Sequence, residues 1–238
     1  VLSGSNPMRL DMVSMAWNKP RPLPDLKTAT FPVPNYVYNI MNQNHHADPQ
    51  ADLVIIIPTS QKLLKQAQRL KAFHEQHDSM TVNLVPADEL YNEFSSGTPD
   101  ASAYRRYMKM LYDRSTGEND RPKYLLLFGD CLWDNRMITS HNTGKSTDDY
   151  LLAFESENSY DRRVCYIDDS FHAMLDDGEG LKPMYVDKLD IGVGRFPVVS
   201  DAEAKIMVDK TINYAENSNG GSWQNTIMFM GDDGDSNL

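Results

Sequence analysis

Cysteine is almost missing from this chain: Cys131 and Cys165 are the only two among 238 residues. Two thiols so far apart support neither a disulfide framework nor a closed zinc site, and leave a single bridge between them as an open option. Basic residues are also in deficit, 23 against 34 acidic ones, for a net charge of −11. Binding to a phosphate backbone leans on clustered Lys and Arg, so no nucleic-acid partner is expected. No stretch approaches the roughly 18–20 uninterrupted apolar residues of a transmembrane segment, and no charged start with an apolar core and a small-residue cleavage site opens the chain. The first residue is Val1 rather than Met, which leads us to expect a piece of something longer. Internal repeats are missing too. The six histidines, His45, His46, His74, His77, His141 and His172, lack a metal-binding spacing such as H-E-x-x-H; His74 and His77 read as a solvated helix face.

Proline is plentiful at the start, with Pro7, Pro20, Pro22, Pro24, Pro32, Pro34 and Pro49 inside residues 1–50. Such density prevents long helices and predicts a connector with short extended pieces. From Asp52 the texture changes. "DLVIIIP" is a continuous, β-branched apolar run, and after it Leu63, Leu64, Ala67, Leu70 and Phe73 recur at helical spacing. "MTVNLVP" (80–86) predicts a second strand. The following helix is expected to start from Thr98 as N-cap with Pro99 in its first turn, placing Tyr104, Met108 and Leu111 on one face. "YLLLFGD" supplies a third strand, and the polar stretch 141–188 a loop with a hairpin between "STDDYLLAF" and "RRVCYIDD". A strand returns at "DKLDIGVGRFP", where Gly192 and Gly194 permit close backbone approach. Ser200 and Glu203 form a capping box for a helix with Ile206, Met207, Thr211 and Tyr214 on one face. Past the linker "NSNGGS" (217–222), "WQNTIMFMGDDGDSNL" restarts a strand that runs into acids.

Apolar strands alternating with helices specify an α/β fold, a mostly parallel sheet flanked by helices with right-handed crossovers. Ligands and catalytic groups in such sheets gather outside the carboxyl ends of the strands. Asp130 and Cys131 fall there. A thiol nucleophile needs a neighbouring base and a depressed pKa; His141 and His172 are the only histidines downstream, and nothing in the sequence brings either to Cys131, so a small packed residue is the reading preferred. "VGRFP" lacks the rest of a phosphate-binding fingerprint and reads as a tight strand end. Asp232, Asp233 and Asp235 form a hard-oxygen cluster open to three readings: a calcium site, a catalytic carboxylate or a polar turn.

In order, "YLLLFGD", "STDDY", "DIGVGRFPV", "KTINYAEN" and a Trp before a strand ending in acids resemble the first subdomain of the gingipain-type cysteine peptidases. "NQNHHADPQADLVIIIP" and "YNEFSSGTPDASAYRRYMKMLYDR" narrow this toward the family's sortases, which serve type IX secretion in Bacteroidetes. The resemblance covers nearly the whole chain from about residue 35. It implies a caspase-like catalytic domain of two subdomains, with the nucleophilic Cys and its His in the second, after a Gly-His-Gly segment that this chain lacks. The third catalytic member, an orienting acid, aligns with Asp233, where gingipains carry Glu; Cys131 aligns with a non-catalytic His. Residues 1–50 are then a connector, 51–222 the first subdomain and 223–238 the start of the second. No cofactor is implied. The implied partners are the parent's second subdomain, protein substrates with C-terminal sorting domains and other secretion components, at the outer-membrane cell surface. A fragment holding only the orienting acid is expected to be inactive alone. Two other readings stand beside this one: a non-catalytic docking scaffold with the same sheet, and a flavodoxin-like small-ligand domain, against which the missing phosphate-cradling loop counts.

Overall fold

A computed structural model describes residues 42–155, 165–180, 187–217 and 220–229. Strand β1, Leu53–Ile57, is the centre of the molecule, and all five of its side chains are buried. It pairs in parallel with β2 (Val82–Pro86) on one side and β3 (Tyr124–Phe128) on the other, and β3 pairs in parallel with β4 (Gly192–Phe196). The order is β2-β1-β3-β4. The predicted parallel α/β sheet is therefore present. Helices α1 (Leu64–His77), α2 (Ala87–Phe94), α3 (Ser102–Asp113) and α4 (Asp201–Ala215) cover it.

Side-chain alternation in the strands sorts the core into two layers, because successive Cβ atoms point to opposite faces. Leu53, Ile55 and Ile57 meet α1 and α4 through Leu63, Ala67, Leu70, Ala204 and Val208. Val54 and Ile56 meet α2 and α3 through Leu90, Tyr91, Tyr104, Met108 and Leu111, joined by Leu151, Ala173 and Leu175 from the long β3–β4 connection. Each buried aliphatic side chain contributes about 1.5–3 kcal/mol of transfer free energy. Among the described residues no helix is long and apolar enough to cross a membrane.

Several local expectations are corrected. Helix α2 was not anticipated, although Ala87, Leu90, Tyr91 and Phe94 are buried at helical spacing. It follows β2 with no intervening loop, Pro86 serving as its N-cap. Thr98 does not cap α3: the helix starts at Ser102, whose amide donates to Asp100 Oδ1 at 2.8 Å. Residues 95–98 are held as a turn on the end of α2 instead, where Gly97 N donates to Tyr91 O at 2.8 Å with φ near +77°. The Ser200/Glu203 capping box is present. On α4, Ala204 and Val208 face the core, while Ile206 and Tyr214 are 66% and 63% exposed. Gly192 is closely approached, since a Cβ there would stand 2.9 Å from Tyr124 Cδ1; Gly194 has open space. The expected hairpin appears as one antiparallel bridge, Glu155 with Ile167, residues 156–164 lying outside the described residues.

Candidate functional site

The connections out of β1 and β3 leave to opposite faces of the sheet, which makes the crevice between their carboxyl ends the topological switch point. Gly129 lies there because nothing larger fits: an added Cβ would stand 2.8 Å from Pro58 Cγ and 3.2 Å from Leu151 Cγ. The chain's own 148–151 segment fills the mouth. Ser60 N donates to Asp148 O at 2.8 Å, Leu151 N to Asp130 O at 2.9 Å, and Lys62 pairs with Asp149 at 2.7 Å. A crevice plugged by backbone, with no glycine-rich phosphate loop beside it, disfavours the flavodoxin-like reading.

Arg195, near the end of β4, carries the main charge under the rim. Its guanidinium donates to both Asp169 oxygens, at 2.8 and 2.6 Å, and to Gly129 O at 3.1 Å. This bidentate pair ties the 165–180 loop to the ends of β3 and β4. Arg105 on α3 fastens the same loop from below through Met174 O (2.8 Å) and Glu179 O (3.0 Å), with its guanidinium over the Phe171 ring. Tyr104 accepts from Leu152 N at 3.2 Å and hydrogen-bonds Tyr91, and burial pushes its hydroxyl up to about 12.

Neither thiol has the surroundings of a nucleophile. Both cysteines are free and half-buried. Burial pushes the Cys131 thiol up, against the pull of Arg195. Cys165 Sγ instead accepts from Trp133 Nε1 at 3.2 Å. Among the described residues no hydrogen bond joins a thiol to an imidazole. His172 is fully buried with both ring nitrogens unpartnered, and burial pushes it down to about 3, so it is a neutral core ring. His141 is exposed. His74 and His77 both bind Asp78 at the end of α1, at 2.6 and 2.7 Å, as a solvated helix end.

Asp232, Asp233 and Asp235 lie outside the described residues. A different acidic group was missed from sequence: Asp176, Glu179 and Asp190 offer oxygens within 4.8 Å of one another and could hold a metal ion. Several of their oxygens already accept hydrogen bonds. Asp190 Oδ2 accepts from Leu175 N (2.6 Å) and Asp176 N (3.2 Å), Glu179 Oε2 from Asp176 N (3.3 Å), and Tyr112 donates to Asp176 at 3.1 Å. These bonds organise a turn around the cluster. Asp176 and Glu179, either side of Gly178 in "DDGEG", were a visible signal for two of its three members; Asp190 is supplied only by folding.

The parallel sheet with helices on both faces defines an α/β protein whose functional rim lies at the carboxyl ends of the strands. Peptidase family C25, the gingipain family of cysteine peptidases, matches residues 46–238, and the chain belongs to that family. Among solved structures it is similar to dimeric latent PorU from Porphyromonas gingivalis, with 37% identity and a TM-score of 0.65 over 80% of this chain. The match covers 18% of the PorU chain. No curated protein sequence matches.

Proposed function

We propose that this chain is the first subdomain of a PorU-like sortase. The complete parent removes C-terminal sorting domains from type IX cargo at the cell surface, and the nucleophilic Cys and the His lie beyond these residues. The observation that carries this reading is a peptidase-family sheet in which, among the described residues, no hydrogen bond joins a thiol to an imidazole, burial pushes the Cys131 thiol up and His172 is sealed in the core. Such a body can brace a site and cannot attack a peptide bond.

The end of the described chain supports a second body starting near residue 223. Ile227, Met228 and Phe229 are 77, 80 and 90% exposed, although their pattern is that of a buried strand. They also have no favourable place beside β4. Helix α4 lies on the same face as α1, so a crossover of the same hand as β1-α1-β2 carries the next strand back toward β3 rather than outward. The run therefore begins a new sheet, and Asp233, just past it, serves as the acid that orients the parent's His and stabilises its charged form.

The test is cleavage of a sorting-domain substrate by the full parent. Asp233→Asn is expected to lower kcat by about 10²-fold or more, and Cys131→Ser to leave it unchanged. Full activity in Asp233→Asn removes that residue from the mechanism; an inactive wild-type parent favours the docking scaffold.

A further inference from the structure

The segment Gln43–Gln50 precedes β1 and lies across α2 and α3. Its single turn, His45–Ala47, has no buried residue. What fastens it is polar. Glu93 on α2 accepts from the backbone amides of His45 (2.9 Å) and His46 (3.2 Å) and from the Gln43 side chain (2.9 Å). Burial alone would raise this carboxyl; those bonds, with His46 Nδ1, bring it down to about 2. Arg114 at the end of α3 donates to His46 O, Asp48 O and Gln50 Oε1.

His45 is the unusual member. Its Nδ1 lies 2.8 Å from Asp48 Oδ2 and its Nε2 lies 2.7 Å from Glu89 Oε2, with only 13% of the side chain exposed. A neutral imidazole has one N–H and one lone pair, so it can satisfy one carboxylate and must present a lone pair to the other. Only the imidazolium satisfies both. The charged and titratable groups facing it are Asp48 in its own turn, Glu89 and Glu93 from α2, the neutral Tyr107 (donating to Asp48 at 2.7 Å) and Arg114 from α3, and Lys71 of α1 across the crevice that His45 and Asp48 line. His46 differs: one nitrogen meets Glu93 at 2.8 Å, its ring stacks on Phe94, and a neutral tautomer suffices.

We propose that Gln43–Gln50 is a proton-operated clasp, locked across α2 and α3 while His45 is an imidazolium and loosened when His45 loses its proton. Burial pulls the His45 pKa down, but the hydrogen bonds and charges of Asp48 and Glu89 outweigh it and leave it above 6.5. A raised pKa stabilises the folded form fully below 6.5, and that stabilisation is lost as pH rises through the folded value. The entry of the chain into the sheet is therefore held while pH lies below the raised folded value of His45 and released as pH rises through it.

The amides of His45 and His46 report on the clasp directly, because both donate to Glu93. Hydrogen exchange on the full chain, corrected for the intrinsic pH dependence of exchange, should show their protection falling about tenfold or more from pH 6 to pH 9, while the amides of β1 hold. His45→Gln should remove that pH dependence and His46→Gln should keep it. Protection in the wild type that is flat with pH overturns the proposal, as does an unchanged pH dependence in His45→Gln. Nitrogen NMR of the wild type tests the same point without a variant: both ring nitrogens of His45 protonated at pH 6.5 supports the clasp, and a neutral ring there overturns it.

Discussion

The run Tyr124–Phe128 and the run at 226–229 are both short and apolar, and in sequence both lead to Gly-Asp, at 129–130 and 231–232. Leu125, Leu127 and Phe128 are buried to within 2%, whereas Ile227, Met228 and Phe229 are almost wholly exposed. The difference lies in the neighbours. The first run has β1 and β4 beside it and helices on both faces; the second follows a helix on the wrong face to be returned to the open edge of the sheet. An apolar run becomes a buried strand only when the topology supplies both flanks, and without them the same kind of run stays exposed.

The largest test of this contrast is a pair of truncations measured by urea unfolding. Leu127→Ala should cost about 2–5 kcal/mol through lost transfer energy and an unfilled cavity, while Met228→Ala in this chain should stay within about 0.5 kcal/mol. Equal losses break the comparison. Acid unfolding sharpens the buried side. His172 is held at about 3, below its ordinary 6.5, so the unfolded chain takes up a proton that the folded chain refuses. Stability should fall as pH drops from 6.5 toward 3 by about 1.4 kcal/mol per pH unit from this group, and His172→Phe should flatten that slope. A smaller effect is expected at Gly129: the Cβ of Gly129→Ala would meet Pro58, costing about 1–3 kcal/mol by overpacking. Gly194→Ala, with open space around it, should be close to neutral in the same urea unfolding.

The sheet could be read from the sequence because its strands are continuous apolar runs and its long helices keep a clean period. Helix α2 carried the same signal in Ala87, Leu90, Tyr91 and Phe94 but was hidden by following Pro86 without a break. The outward Ile206 and Tyr214 misled because helical spacing does not say which of two apolar stripes faces the core. Cys131, read as a packed residue because no sequence feature offered it a base, is half-buried in the structure. The Arg195–Asp169 pair, the Asp190 arm of the acidic turn and the His45 clasp were illegible for one reason. Each depends on a partner distant in sequence, Asp169 lying 26 positions from Arg195, Asp176 14 from Asp190 and Glu89 44 from His45, and only the fold brings them together.

The central claim is that this chain braces a catalytic centre without containing its nucleophile. It is tested most directly by labelling with an electrophilic peptide probe for cysteine peptidases, followed by mass spectrometry of the modified residue. The account predicts that neither Cys131 nor Cys165 reacts faster than an ordinary free thiol at pH 7.5, and that the full parent is labelled at a cysteine outside residues 1–238. Rapid, saturable labelling of Cys131 in this chain would contradict it.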